Sequence, residues 1–230
     1  MPLSASPAVT AEQMREVDRL MVEDLGIDLV RMMENAGQHL ASLAIDLFSP
    51  TTAMVLTGPG GNGGGGLTAA RHLSNRGVRA TVVPSHPEDR LAPVPAEQLG
   101  ILRRMGVPIA SEPFEADLLI DALIGYSLHG PPRGRASELI GWANVSGVPV
   151  LSLDLPSGLD ATTGDVPERC IQATATMTLA LPKTGLARTA AEIVGRLFVA
   201  DISVPPSVFE RIGVGVPRLF DRSPIVELTR

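Results

Sequence analysis

Residues 58–66 read Gly58-Pro59-Gly60-Gly61-Asn62-Gly63-Gly64-Gly65-Gly66, seven glycines in nine positions. An apolar run, Ala53-Met54-Val55-Leu56-Thr57, precedes them, and a stretch that suits a helix follows at 67–76. Glycine permits positive φ and lets a ligand approach the backbone closely. A helix N-terminus adds free N–H groups and the positive end of a dipole. The spacing predicts a turn that receives an anion, a phosphate first of all; the bland alternative is a flexible turn. Gly58, Gly60 and Gly63 satisfy G-x-G-x-x-G, yet the acidic residue that should grip a ribose is missing. The next strand runs instead into Val83-Pro84-Ser85-His86, with Glu88 and Asp89 only beyond it. No Lys-Ser or Lys-Thr follows the glycines, so the loop is not a P-loop. An ordinary hydride-transferring dehydrogenase is disfavoured.

Two more strand ends carry carboxylates. Asp121 precedes Ala122-Leu123-Ile124-Gly125-Tyr126-Ser127, and Asp154 precedes Leu155-Pro156-Ser157-Gly158-Leu159-Asp160. In an open parallel sheet, ligands bind in the crevice outside the carboxyl ends of the strands. The glycine loop, Asp121 and Asp154 are therefore expected on one rim. Asn62, Asp121 and Ser157 together offer amide, carboxylate and hydroxyl oxygens, a set that suits a hard cation. With one carboxylate among them, the charge favours a weakly held monovalent ion; a plain hydrogen-bond network is the alternative.

The elements that must hold these residues follow from the apolar pattern. Short runs at 53–57, 80–83, 117–121, 149–154, 175–181 and 196–200 read as buried strands, alternating with helices at 67–76, 95–105 and 136–145. Such alternation predicts a parallel sheet covered on both faces. Ahead of it lies a helical arm at 9–48. Thr10 and Gln13 form a capping signal, Met14, Val17, Leu20 and Met21 follow at helical spacing, and Gly26-Ile27-Asp28 breaks the run. The ending, from about residue 204, is expected to wrap the surface. No linker divides the 230 residues, so one domain over 1–230 is expected.

Composition narrows the function. Nineteen basic against 25 acidic residues give a net charge of −6, with no basic cluster, and aromatics are 3%. Nucleic-acid binding has neither charge nor stacking platforms to support it. Nowhere do eighteen apolar residues run together, so no membrane span is expected. A lone cysteine, Cys170, and scattered histidines (His39, His72, His86, His129) argue against a disulfide framework or a preassembled zinc site. No signal peptide is visible, and a cytoplasmic location is expected.

With these residues in view, the chain resembles the YjeF N-terminal domain family, the NAD(P)H-hydrate epimerases. The resemblance rests on five motifs in order: Met33-Glu34-Asn35-Ala36-Gly37; the loop 58–67; Asp121-Ala122-Leu123-Ile124-Gly125; Asp154-Leu155-Pro156-Ser157-Gly158-Leu159-Asp160-Ala161; and Pro182-Lys183-Thr184-Gly185-Leu186. It implies a three-layer Rossmann-like α/β sandwich with a mostly parallel sheet and an N-terminal helical arm. It implies an isomerase that equilibrates the R and S forms of hydrated NADH and NADPH, working beside a separate dehydratase. It implies potassium on Asn62, Asp121 and Ser157. Substrate would lie against Gly61, Asn62, Gly63, Gly64, Gly65, Gly125, Tyr126, Ser127, Leu128, His129, Gly130, Pro131, Asp154 and Lys183. Asp154 is the candidate catalytic residue, and Lys183 either orients the substrate or a phosphate or is simply a solvated lysine. The helical arm points to a homodimer. Two positions depart from the family pattern, Gly61 for an Asn and Gly65 for an Asp. The alternative reading, a non-catalytic nucleotide-binding or scaffolding protein on the same fold, draws on Gly65.

Overall fold

The computed structural model describes residues 1–128, 130–215 and 219–229. Its centre is a seven-stranded sheet ordered β2-β1-β3-β4-β5-β6-β7. The strands are β1 (Thr52–Thr57), β2 (Arg79–Pro84), β3 (Leu118–Ala122), β4 (Val150–Leu153), β5 (Ala175–Leu179), β6 (Arg196–Ala200) and β7 (Ile225–Leu228). The first six pair in parallel, and β7 runs antiparallel along β6. After β2 the chain crosses to the other side of β1, so the switch point of the topology lies between β1 and β3. That is where a crevice must open.

Alternate residues of each strand serve opposite faces, as the two-residue period requires. Ala53 and Val55 pack on one side, with α2 (Leu29–Phe48), α3 (Gly61–Asn75) and α4 (Pro93–Arg104). Met54, Leu56 and Leu119 pack on the other, with Leu139, Ile140 and Ala143 of α5 (Gly134–Val145).

The arm begins with α1 (Ala11–Arg19), whose cap is reciprocal. Thr10 Oγ1 accepts from the Gln13 amide at 3.2 Å, and Gln13 Oε1 accepts from the Thr10 amide at 2.9 Å. The helix widens into one π turn over Leu20–Asp24, ended by Gly26 at φ +67°. Before α1, Val9 donates to Pro182 O and accepts from the Thr184 amide, both at 2.9 Å. The arm is thereby tied to the loop that carries Lys183.

Two expectations need correction. The glycine stretch is not a turn up to residue 66: α3 starts at Gly61, and no glycine in 58–66 has positive φ. Close packing is what calls for glycine here. A Cβ on Gly63 would lie 1.9 Å from Gly58 O, on Gly64 2.7 Å from Met33 Sδ, and on Gly66 2.4 Å from Ala122 Cβ. The helix sits almost directly on the sheet and on α2, and this tertiary gain outweighs glycine's poor helix propensity. The C-terminal segment is likewise more than a surface wrap, since it forms a short helix, α8 (Pro206–Arg211), and supplies β7; α6 (Thr184–Arg188) and α7 (Ala191–Val194) precede them. Among the described residues no helix is long and apolar enough to cross a membrane.

Candidate functional site

The ends of β4 and β5 share an uncommon turn. Asp154, one residue past β4, has φ +69°, and Leu155 N donates to Leu153 O at 2.9 Å. Ala180, one residue past β5, has φ +62°, and Leu181 N donates to Leu179 O at 2.7 Å. These are γ-turns of the strained, positive-φ kind. Each such residue costs on the order of 1–3 kcal/mol and persists only where its surroundings hold it. Here the surroundings are each other: the turns bring Lys183 back over Asp154. Lys183 Nζ donates to Asp154 Oδ1 and, at 2.9 Å, to Leu179 O. The pair is buried, with Lys183 1% and Asp154 3% exposed. A solvated Lys183 is thus ruled out.

The two oxygens of Asp154 differ. Oδ1 takes Lys183 and lies 3.4 Å from both Thr178 Oγ1 and the Leu179 amide. Among the described residues Oδ2 receives only the Tyr126 amide, at 3.3 Å. A Cβ on Gly125 would sit 3.3 Å from both Asp154 Oδ2 and Asn62 Oδ1. Glycine at 125 therefore keeps those two polar groups facing a common space.

Asp121, the penultimate residue of β3, is wholly buried. Its carboxylate accepts from Ser157 Oγ (2.6 Å), the Ser157 amide (2.9 Å), Ser152 Oγ (2.8 Å) and the Leu123 amide (3.3 Å). Burial pushes its pKa up, and those hydrogen bonds pull the other way. Ser157 Oγ also accepts from the Ile124 amide at 2.8 Å, so it braces the loop that leads to Gly125. Among the described residues Asn62 Nδ2 has no acceptor, although it is buried. Among the described residues no three His, Cys, Asp or Glu side chains gather in a metal-binding group.

Two adjoining cavities open here, and Asp121 and Ser157 lie behind their walls without lining either. One, of about 280 Å³, is lined by Gly61, Asn62, Gly65, Gly125, Tyr126, Ser127, Asp154 and Lys183. Apolar walls complete it: Met14 from α1, Leu29, Met32, Met33 and Ala36 from α2, with Leu153, Leu179 and Ile202. The other, of about 440 Å³, shares Gly61, Asn62, Gly125 and Ser127 and extends past Leu128 and Pro131 to His86 and Arg133. Gly63 and Gly64 lie beneath the surface, buried in packing, and Gly130 is exposed outside both cavities. His129 lies outside the described residues.

Sequence reasoning missed Asp18. It comes from α1, lines the smaller cavity, and its Oδ2 accepts from the Tyr126 hydroxyl. Burial raises its pKa, opposed by that hydrogen bond and by the charge of Lys183. Burial likewise raises the Tyr126 pKa, helped by the Asp18 charge. A signal was present: Asp18 stands four residues after Met14 and three before Met21, a carboxylate on an otherwise apolar helix face.

The arrangement resembles known proteins. A family model described as YjeF-related protein N-terminus matches residues 30–185. An NAD(P)H-hydrate epimerase of Dehalogenimonas lykanthroporepellens is 44% identical over 214 residues, covering 90% of this chain and 86% of that protein. One from Truepera radiovictrix is 37% identical, covering 90% and 94%. A bifunctional NAD(P)H-hydrate repair enzyme of Hyperthermus butylicus is 39% identical over 84% of this chain, which spans 38% of that longer protein. A crystal structure of yeast ynu0 superposes with a TM-score of 0.84 at 23% identity, over 96% of this chain and 99% of that one. That likeness is one of fold.

Proposed function

The chain belongs to the YjeF-related protein N-terminus family, and on that premise we propose that it interconverts the R and S forms of hydrated NADH and NADPH. The observation that carries the reading is Asp154 Oδ2, buried beside Gly125 and Asn62 in a mostly apolar cavity, with Lys183 holding the other oxygen.

The hydrate bears a hydroxyl on the ring carbon next to the ring nitrogen. Push from the nitrogen lone pair expels it as water once it is protonated, leaving a planar iminium that water re-enters from either face. The protein has to handle a proton at that oxygen and offer negative charge to the cation. Asp154 Oδ2 is placed for both. Lys183 fixes the carboxylate's direction, and the walls of Met14, Met32, Met33 and Ile202 keep bulk water from the cation. The nicotinamide ring suits the smaller cavity. The ribose and phosphates suit the larger one, beside the first N–H groups of α3, which have no acceptor within the helix.

A potassium ion on Asn62, Asp121 and Ser157 belongs to this reading. Asp121 is buried without a basic side chain among its described hydrogen-bond partners, a costly state that a monovalent cation would relieve. Half a turn of the Asn62 amide would also replace its partnerless N–H groups with an oxygen. When bound, the ion supplies a fixed positive charge that stiffens the loops bearing Gly125 and Ser157. A homodimer through the arm is part of the same proposal, and Val22, Leu25 and Leu29 stand exposed there. So is a cytoplasmic setting beside a separate dehydratase.

The test supplies R-form NADH hydrate to this protein together with an S-specific dehydratase and ATP. Recovery of the reduced-nicotinamide absorbance faster than spontaneous epimerisation is expected. A rate equal to the enzyme-free control, from folded protein, would leave a non-catalytic nucleotide binder instead.

A further inference from the structure

Epimerisation through a planar cation has two faces to serve, and Asp154 stands at one point of the cavity. We propose that Asp18, held in place by Tyr126, is the second acid–base residue of this site and serves the face of the ring that Asp154 does not. The proposal rests on the epimerase reading.

Three observations on independent parts of the chain converge on it. Asp18 lines the same cavity as Asp154 and Lys183, although it comes from the arm and they come from the segments that follow β4 and β5. Tyr126 connects the two carboxylates: its amide donates to Asp154 Oδ2 at 3.3 Å, and its hydroxyl donates to Asp18 Oδ2. The arm that carries Asp18 is pinned at Val9 to Pro182 and Thr184, the neighbours of Lys183, and the Ala11 amide donates to Thr162 Oγ1 at 3.0 Å. The distance between the carboxylates is thus set by backbone pairing as well as by one tyrosine. Among the described hydrogen bonds Asp18 Oδ1 has none, which leaves that oxygen for a ligand in the cavity.

The proton balance closes. In one direction Asp18 gives its proton to the departing hydroxyl, which leaves as water when its bond to the ring carbon breaks. The entering water forms the new bond on the other face and passes its proton to Asp154. The pair then carries its single proton on Asp154 rather than Asp18, and the opposite conversion runs the same steps backwards. Burial pushes the Asp18 pKa up, the direction a proton donor needs. The charged and titratable groups that act on it are Lys183 and Asp154 across the cavity and Tyr126 in contact, with Arg15 on α1 acting on Tyr126.

The test measures kcat, KM and the pH profile of kcat/KM for wild type, Asp18→Asn and Tyr126→Phe, with thermal melts as the folding control. Wild type is expected to be bell-shaped, because the working enzyme holds one proton on the pair. Asp18→Asn should lower kcat by about 100-fold or more, with KM within about threefold, and remove the alkaline limb. Tyr126→Phe keeps Asp18 but loses the hydrogen bond that stabilises its ionised form, so the alkaline limb should move to higher pH. A merely structural Asp18 would leave the limb where it is. Active wild type with a near-normal Asp18→Asn variant and an unchanged profile would overturn this proposal and leave the epimerase reading standing. Inactive wild type would remove both. If Asp18→Asn does not fold, an unmoved limb in Tyr126→Phe overturns the proposal alone.

Discussion

Lys183 lays its ammonium on Asp154 Oδ1 from the end of the neighbouring strand, both side chains being 5% exposed or less. Two γ-turns, at Asp154 after β4 and at Ala180 after β5, create that meeting. The strain of each turn is offset by the ion pair they form together. Lys183 thus acts on Asp154, and through it on whatever lies in the cavity.

Removing one member of a buried pair leaves the other uncompensated, at about 3–5 kcal/mol. Lys183→Met should therefore lower unfolding free energy by about that much in denaturant titration. Adding Asp154→Asn to it should restore a good part, because the orphaned charge is gone. A Lys183→Met protein as stable as wild type would mean the ammonium is not buried on Asp154.

Alanine is the better helix former by about 1 kcal/mol, so Gly66→Ala in α3 would stabilise a solvent-facing helix. Here its Cβ would meet Ala122 Cβ at 2.4 Å, an atom fixed directly to β3. Overpacking of this kind costs about 1–3 kcal/mol. Set against the propensity gain, a net loss of up to about 2 kcal/mol is expected by chemical denaturation. A gain would show that α3 does not sit on the sheet as closely as described.

If potassium binds at Asn62, Asp121 and Ser157, it should raise the melting temperature more than sodium at equal ionic strength. At about a hundredfold excess over its dissociation constant the gain approaches 2.7 kcal/mol. Asp121→Asn should abolish the difference between the two ions. An equal response to both in wild type would remove potassium from the proposal.

Much of this was legible from residues alone, and the exceptions share a cause. The six parallel strands were visible because strands buried on both faces are nearly continuous apolar runs, such as Leu118-Leu119-Ile120. The fourth-residue repeat of the arm and its Thr10–Gln13 cap were equally local. β7 was hidden because Ile225-Val226-Glu227-Leu228 is a short, half-exposed edge strand among prolines and polar residues. The start of α3 was misplaced because seven glycines argue for a turn by propensity, whereas contacts with Met33, Ala122 and Gly58 decide for a helix. Asp121, Asp154 and Ser157 stood out by their place after strands. Asp18 did not, since its role depends on the arm docking beside Lys183. Nor did Lys183's burial, because lysine is almost always solvated unless paired.

The motifs also divide by what they do. Gly37 serves packing, since a Cβ there would sit 2.5 Å from Thr68 Cβ, and Glu34 ties α2 to Arg71 and His72 of α3. Asp160 caps its own turn through the Thr162 and Thr163 amides at 2.8 and 2.7 Å. Met33, Ala36, Gly61, Asn62, Gly65, Gly125, Asp154 and Lys183 are the motif positions that line the smaller cavity.

The most direct measurement mixes separated R-form NADH hydrate with catalytic amounts of this protein and follows the ratio of R to S by chromatography. Wild type should bring the two forms to equilibrium well before the spontaneous reaction does, and Asp154→Ala, folded by its melting curve, should fall back by about 100-fold or more. Equilibration by Asp154→Ala at the wild-type rate would contradict the assignment of Asp154, and no acceleration by wild type would contradict the epimerase itself.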